Sequence, residues 1–168
     1  SETTTEFRIY EQSITKVKVA AVKAAYTGKF VRPELNVTVK NGKTTTTLTK
    51  GVDYIVSYSG NLNAGTAKAM ITGIGVYGGT KTVSFKIAAK SLADESVTAT
   101  VRDASYTGKA VKPSVVVKDG KTVLKAGVDY TVTYKNNTKA ASAEAGKKAP
   151  TVVIKGKGNY AGQITKTF

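Results

Sequence analysis

Two aspartates stand in the same four-residue setting, GVDY, at Asp53 and at Asp129. A carboxylate in a repeated setting could serve as a general acid or base, but such chemistry uses a second carboxyl group close by. No second acidic residue recurs at a matched position. We therefore expect each aspartate to form an Asx-type turn, in which its carboxylate caps backbone N–H groups where a strand begins.

The composition excludes several kinds of catalytic and metal site. The sequence contains no Cys, His or Trp, so it can form no thiol nucleophile, Ser-His-Asp triad, disulfide bond, or zinc site built on His or Cys. The adjacent pair Asp94-Glu95 lies in the segment between two predicted units, and a Ca²⁺ site there would need about six to eight oxygen ligands. We predict no catalytic residue, no metal site and no cofactor, and expect that the protein is not an enzyme.

Two glycine pairs, Gly73-x-Gly75 and Gly156-x-Gly158, have a spacing also found in phosphate-binding loops. Those loops hold phosphate at the N-terminus of the helix that follows. No helical pattern follows either pair, so we expect the glycines to provide positive φ angles in a tight turn before the next tyrosine.

The chain contains an internal repeat about 80 residues long,. The tetrapeptide YTGK occurs at residues 26–29 and 106–109, and GVDY occurs at 51–54 and 127–130. Many further residues recur in the same order, so two copies are present. In the first copy these are Val31, Pro33, Val56, Tyr58, Ile71, Gly73, Gly75, Tyr77, Gly79 and Phe85.

The copies differ in length at two places, which we interpret as loop differences. The first unit has a longer segment after Asn41-Gly42, and the second has an insertion rich in Ala, Ser and Lys at Ala140 to Pro150. A partial third copy begins the chain, because Phe7-Arg8-Ile9 matches the last strand of the first unit. The sequence therefore predicts a piece of a longer array or its tail.

The repeat predicts the domain organisation. We expect residues 1–12 to be the terminal strand of a preceding repeat or a linker, 13–89 to be unit 1, and 90–168 to be unit 2. The segment Ala88 to Leu92 between the units is short and contains neither Gly nor Pro, so it should restrict the hinge,.

Each unit is predicted to be a small β domain. Apolar residues alternate with polar ones along several short runs, a period typical of strands. Asn41-Gly42 and Asp119-Gly120 follow β-rich runs and indicate hairpins,. The predicted fold class is all-β, with two tandem small antiparallel Ig-like β-sandwich modules. No run of about 18 apolar residues is present that would span a membrane.

These residues resemble the tandem extracellular repeats of Gram-positive bacterial surface proteins. The repeat pattern there runs YTGK-x-V-x-P, a hairpin, G-x-DY-x-V-x-Y-x-N-N, AGTA-x-x-x-I-x-G-x-G-x-Y-x-G and F-x-I. This sequence departs from it at Ser59-Gly60, which replaces the first paired asparagine, and at the AGTA segment of the second unit. The resemblance implies an Ig-like module serving as stalk, spacer or adhesive array, with no agreed ligand or catalytic residue.

Eight of the nine tyrosines are matched between the copies, and only Tyr10 has no counterpart. Matched tyrosines are expected to pack in the core and at corners, with their hydroxyls bonded to backbone. A ligand-binding face would use unmatched aromatic residues, for which the candidates are Tyr10 and Phe30. Their rings could stack on sugar rings.

The formal net charge is +15 at pH 7, which attracts polyanions. The lysines are scattered along the whole chain and only three arginines are present, so no specific nucleic-acid partner is predicted,. The predicted partners are neighbouring repeats of the same chain and anionic cell-wall or host glycans.

Cysteine-free surface proteins can carry Lys–Asn isopeptide crosslinks. The matched residues Asn61 and Asn137 keep that chemistry open, and a mass about 17 Da low, for one lost ammonia, would reveal it. The N-terminus lacks a signal-peptide pattern, so we expect any export signal to have been removed or to precede this sequence.

The sequence predicts a non-catalytic structural and adhesion module at a bacterial cell surface or cell wall. The alternative is a carbohydrate-binding module attached to a polysaccharide-degrading enzyme. Exposed coplanar aromatic rings would favour the alternative, and tyrosines buried in both copies would favour the structural role.

Overall fold

The computed structural model describes residues 10–168, which fall into two compact units. The first ends at Ile87 and the second is Ala88–Phe168. Among the described residues the only helical turns are two short 3₁₀ helices, Ile14–Lys16 and Gly146–Lys148, and no helix there has the length and apolar character to cross a membrane. The predicted all-β class is confirmed. The Ig-like arrangement stays a prediction.

Among its described residues, the first unit has two main antiparallel sheets and one short parallel pair. The strands are β1 (Gln12–Ser13), β2 (Lys18–Val19), β3 (Lys23–Ala25), β4 (Val37–Asn41), β5 (Thr44–Thr47), β6 (Tyr54–Ser59), β7 (Gly65–Gly73), β8 (Tyr77–Gly78) and β9 (Thr80–Ala88). The sheets have the strand orders β2-β4-β5 and β3-β9-β7-β6, and β1 pairs with β8 in parallel.

The second unit repeats this arrangement with one strand fewer than the described part of the first. The strands are β10 (Lys90–Ser91), β11 (Val97–Val101), β12 (Val115–Asp119), β13 (Thr122–Val123), β14 (Tyr130–Lys135), β15 (Thr151–Gly156), β16 (Tyr160–Ala161) and β17 (Gln163–Thr167). The sheets have the orders β11-β12-β13 and β14-β15-β17, and β10 pairs with β16 in parallel.

The core of the first unit is formed by side chains from both of its main sheets. Val37 of β4 packs in one cluster with Tyr54 of β6, Ile71 of β7 and Tyr77 of β8. Alternation explains this, because inward side chains of β4 and β6 occupy every second position,. At matched positions of the second unit, Tyr130, Ile154 and Tyr160 are likewise buried, together with Val117 and Val152 of the same two sheets.

Both predicted hairpins are present, but both turns are displaced by one residue. Asn41 still pairs with Thr44, so the two-residue loop is Gly42-Lys43. Asp119 pairs with Thr122 in the same way. Gly42 has φ of 61°, while Lys43 keeps a negative φ, as in a type II′ turn with glycine first,. The glycine therefore provides the turn, and the asparagine ends the strand.

The predicted linker is in fact part of the second unit. Lys90 and Ser91 form β10, and Leu92 is buried. The residues that follow Ile87 therefore belong to the structure of the next repeat. The predicted boundary between residues 89 and 90 lies two residues from the observed division. Of the predicted terminal strand at residues 1–12, Phe7-Arg8-Ile9 lie outside the described residues.

The first unit is longer than the second at two places: after Asn41-Gly42, as predicted, and also between Pro33 and β4. The first unit has Glu34-Leu35-Asn36 between Pro33 and Val37, where the second unit has Ser114 alone between the matching proline and strand. Asn36 and Ser114 accept equivalent backbone hydrogen bonds, from Ala20 and Arg102. Glu34 and Leu35 are therefore extra residues in the first unit.

Candidate functional site

The matched tyrosines are mostly inside the units, as expected. Tyr54 is 2% exposed and Tyr130 is 3% exposed, and Tyr77 and Tyr160 are also buried. Tyr26, Tyr58 and Tyr134 are half-buried. The prediction is wrong for Tyr106, which is 51% exposed. The buried rings are core residues and present no stacking surface.

The hydroxyl groups of several matched tyrosines are bonded within their own unit. Tyr58 donates to the carbonyl of Pro33 at 2.6 Å, and Tyr134 donates to the carbonyl of Pro113 at 2.5 Å. Tyr160 differs from the expectation, because its hydroxyl donates to the carboxylate of Asp119 at 3.0 Å.

The two units also share an edge-to-face contact between aromatic rings. Phe85 makes this contact with Tyr58, and Phe168 makes it with the matched Tyr134.

Burial raises the pKa of Tyr54 and of Tyr130, and the neighbouring carboxylates add to the effect. These are Glu34 and Asp53 beside Tyr54, and Asp129 beside Tyr130. Both phenols are therefore neutral across the physiological pH range, which suits a packed core position.

The matched asparagines Asn61 and Asn137 hold the segment that follows YTGK. The side-chain amide of Asn61 donates to the carbonyl of Val31 at 2.9 Å, and Asn137 makes the same bond to Val111. Each valine N–H returns a bond to the backbone carbonyl of its asparagine. Both amides thus have a structural role. The mass measurement named above is the test for an isopeptide bond at either asparagine.

The residue before each of these asparagines has a left-handed backbone. Gly60 has φ of 64° and Asn136 has φ of 54°. Glycine and asparagine are the residue types that tolerate this region best. The departure from the paired asparagines in the first unit therefore preserves the backbone conformation.

The two repeated aspartates cap backbone, although not as Asx turns. Asp53 accepts from the N–H of Thr49 at 2.7 Å, and Asp129 accepts from the N–H of Lys125 at 2.8 Å. The bond thus reaches four residues back along the chain, whereas an Asx turn reaches forward. The predicted capping role is confirmed and the predicted turn type is wrong.

The glycine pairs divide into two structural roles. Gly75 and Gly158 have φ of 63° and 65°, as expected for tight turns. Gly73 and Gly156 are instead required by close backbone approach: a Cβ on Gly156 would lie 2.6 Å from the amide nitrogen of Ala161. Strands β8 and β16 begin two residues after Gly75 and Gly158, so no helix N-terminus is present at either pair.

The acidic pair Asp94-Glu95 lies inside the second unit, in the turn after β10, and not in an inter-unit linker. Asp94 accepts from the N–H of Ser96 at 3.0 Å and from its hydroxyl at 2.7 Å. These bonds lower the pKa of Asp94. Across residues 10–168 no group of three or more acidic side chains is placed to hold a metal ion.

A polar cluster that the sequence analysis did not identify surrounds Asp119. Its carboxylate accepts from Lys90 Nζ at 2.7 Å, from the Ser96 hydroxyl at 2.8 Å and from the Tyr160 hydroxyl. Burial would raise the pKa of Asp119, but these three bonds lower it overall. The cluster attaches β10, the first strand of the second unit, to the last residue of β12. At the matched position the first unit has Asn41.

Replacing Asp119 by asparagine is expected to destabilise the second unit by about 1–2 kcal/mol near neutral pH. The substitution retains the shape and removes the charge that Lys90 compensates. Because folding lowers the pKa of Asp119, this stabilisation is present above its usual value of 3.8 and is lost as pH falls through the lower folded value,.

The difference between the wild type and Asp119→Asn, measured by urea denaturation, should therefore shrink as the pH is lowered from about 7 to about 3. Asn41→Asp in the first unit, where Gln12 occupies the position of Lys90, is a matched control and should not stabilise that unit. A difference that is constant over the whole pH range would contradict the role of the carboxylate.

The two predicted ligand-binding residues, Tyr10 and Phe30, are exposed but are not brought together. Tyr10 is 43% exposed, and its ring covers Gly78 so closely that a Cβ there would overlap it. Phe30 is 63% exposed and lies beside Arg32, whose guanidinium is 5.9 Å from the ring centroid. The surroundings of the two rings share no residue within the described part of the chain.

Sequence reasoning found the duplicated scaffold residues and the exposed Phe30, but missed the Lys90–Asp119 contact. That contact joins residues far apart in the sequence and depends on the parallel pairing of β10 with β16. The sequence offered one signal for it: where the first copy has the uncharged residues Gln12 and Asn41, the second has a lysine and an aspartate, which can form an ion pair.

Compared with known proteins, the chain matches no family model, no curated protein and no solved structure.

Proposed function

We propose that the chain is a non-catalytic structural module of a bacterial extracellular protein, in which tandem β units act as a stalk or spacer and adhesion is the wider role. The observation that supports this most is the use of the duplicated polar groups. Asp53 and Asp129, Asn61 and Asn137, and the hydroxyls of Tyr58 and Tyr134 all bond to backbone of their own unit.

The first strand of each unit is attached in a way that suits a spacer under tension. Strands β1 and β10 pair in parallel with β8 and β16, close to the last strand of the same unit. Buried Ile14 and Leu92 follow them directly. Tension on the chain therefore acts along a hydrogen-bonded strand pair whose neighbouring residues are fixed in the core.

Single-molecule force extension tests this load-bearing role. Each unit has about 80 residues, so two discrete unfolding events are expected, each lengthening the chain by about 250 Å. Gradual extension without discrete events would contradict a spacer role. The proposed location has its own test: an antibody against the chain should label intact cells that make the protein, and labelling only after lysis would contradict it.

A second candidate function is a carbohydrate-binding module attached to a polysaccharide-degrading enzyme. The exposed ring of Phe30, next to a guanidinium, is the observation that favours it. Single exposed rings bind sugars through apolar contact with a pyranose face. This role and the spacer role are compatible in one array, because they use different residues.

A further inference from the structure

The segment from Phe30 to Leu35 in the first unit has no regular secondary structure, and its backbone is hydrogen-bonded by side chains of its own unit. The side chain of Asn61 bonds the carbonyl of Val31, Tyr58 bonds that of Pro33, and Tyr54 bonds that of Leu35 at 3.4 Å. Asn61 itself is buried. The carbonyls of three alternate residues are thus bonded by side chains of β6 and of the loop that follows it.

The other three residues of this segment, Phe30, Arg32 and Glu34, are exposed. They line a surface groove together with Lys50, Tyr58 and Asn61. Because the backbone is hydrogen-bonded at every second residue, the points from which these side chains project are set before any ligand binds. Preorganisation of this kind lowers the entropy lost on binding.

The charges in this groove leave Arg32 as its available cation. Glu34 pairs with Lys50 at 3.5 Å, whereas Arg32 has no carboxylate within ion-pair distance among the described residues. Its guanidinium lies over the ring of Phe30, 5.9 Å from the ring centroid, and that ring is 63% exposed. The groove therefore offers an apolar ring and a positive charge side by side.

The second unit holds the matching segment in the same way but presents different side chains. Asn137 and Tyr134 bond the carbonyls of Val111 and Pro113, yet Ala110 stands in place of Phe30 and Lys112 in place of Arg32. The fold therefore does not require a phenyl ring or a guanidinium there. Phe30 and Arg32 are therefore not needed to form the fold.

We infer that this groove of the first unit binds an acidic sugar residue of a glycan, with the sugar ring stacked on Phe30 and its carboxylate or sulfate bound by Arg32. Aromatic rings complement the apolar face of a pyranose, and arginine binds oxyanions through paired N–H groups. Glu34 and Lys50 supply an acceptor and a donor for sugar hydroxyls. Arg32 is one of only three arginines in the chain, so the groove suits a single anionic group better than the closely spaced phosphates of a nucleic-acid backbone.

The inference does not depend on the spacer role; it rests on the second candidate function, for which it names the ligand class. The test uses the full chain and isothermal titration with four probes: an oligogalacturonate for carboxylate, a heparin oligosaccharide for sulfate, a neutral cello-oligosaccharide and a single-stranded oligothymidylate. One of the acidic oligosaccharides is expected to bind tightest, which also identifies the anion. Phe30→Ala and Arg32→Ala should each weaken that binding by about tenfold or more.

Two substitutions outside the groove serve as controls. Lys112→Ala removes the matched cation of the second unit, and Tyr106→Ala removes an exposed aromatic ring; each should change the affinity by less than about twofold. Because Phe30 is exposed, Phe30→Ala should keep the wild-type Tm, so a loss of binding cannot be attributed to unfolding.

The inference is contradicted by several outcomes: no binding of either acidic oligosaccharide, equal affinity for the neutral one, tighter binding of the oligothymidylate, or binding unaffected by Phe30→Ala. Each would leave the spacer role intact, because none bears on the unfolding behaviour under force.

Discussion

Replacing Tyr130 by alanine is expected to lower the free energy of unfolding of the second unit by about 3–5 kcal/mol. The ring is 3% exposed, so the substitution removes a large buried aromatic group and leaves a cavity. Since small domains have about 5–15 kcal/mol of stability in total, this loss takes the unit close to unfolding at ambient temperature.

The same substitution in the first unit should have the same effect. Tyr54 is 2% exposed and packs with Ile14, Val37 and Ile71. Guanidinium denaturation followed by tyrosine fluorescence would show a midpoint shift for the transition of one unit in each variant. If the units do not unfold separately, the shift appears in the joint transition.

Tyr106→Ala is the matched control for these variants. Its side chain is 51% exposed, and the loss expected there is below about 0.5 kcal/mol. Equal effects of Tyr106→Ala and Tyr130→Ala would show that the duplicated tyrosines are not core residues, and the proposed role of the repeat would fail with them.

The second large effect is expected at the closely packed glycines that end β7 and β15. Gly156→Ala should cost about 3 kcal/mol, because the new methyl group would lie 2.6 Å from the amide nitrogen of Ala161 and 2.7 Å from the carbonyl carbon of Tyr160. Backbone atoms of a paired strand cannot move away as a flexible side chain could. Gly73→Ala should act similarly in the first unit.

A glycine with free space around it is the control that separates steric crowding from the strain of a left-handed backbone. Gly120 has φ of 56° and no atom within 4 Å of an added Cβ, so Gly120→Ala should cost only about 1 kcal/mol of left-handed strain. The comparison is made by urea denaturation of both variants. A smaller loss for Gly156→Ala than for Gly120→Ala would contradict the close approach of the two strands.

Local signals in the sequence predicted much of this fold. Glycine after Asn41 and after Asp119 marks two hairpins, and alternation along residues 54–59 and 130–135 marks two half-buried strands,. The repeat identified the core tyrosines, because two copies of one scaffold need the same packing residues. Phe30 was singled out because nothing in the second copy matches it, and its exposure agrees with that reasoning.

The features that sequence reasoning did not predict depend on pairing over long distances. The parallel pair of β10 with β16 makes the supposed linker part of the second unit and brings Lys90 to Asp119. Two-residue strands carry too little pattern to predict such a partner. Tyr106 shows a different limit, because a residue that recurs in both copies can still be exposed in one of them. Tyr26 is half-buried and packs against the core of its unit, whereas Tyr106 is 51% exposed.

Tyrosine accessibility tests the central proposal most directly. Native chain treated briefly with tetranitromethane and mapped by peptide mass spectrometry should carry nitro groups on Tyr10 and Tyr106, whose rings are exposed, while Tyr54, Tyr77, Tyr130 and Tyr160 remain unmodified until denaturant is added. Nitration of Tyr54 and Tyr130 in the folded chain at the rate seen for Tyr106 would contradict it, because the duplicated rings would then form an accessible surface and not the interior of two equivalent β scaffolds.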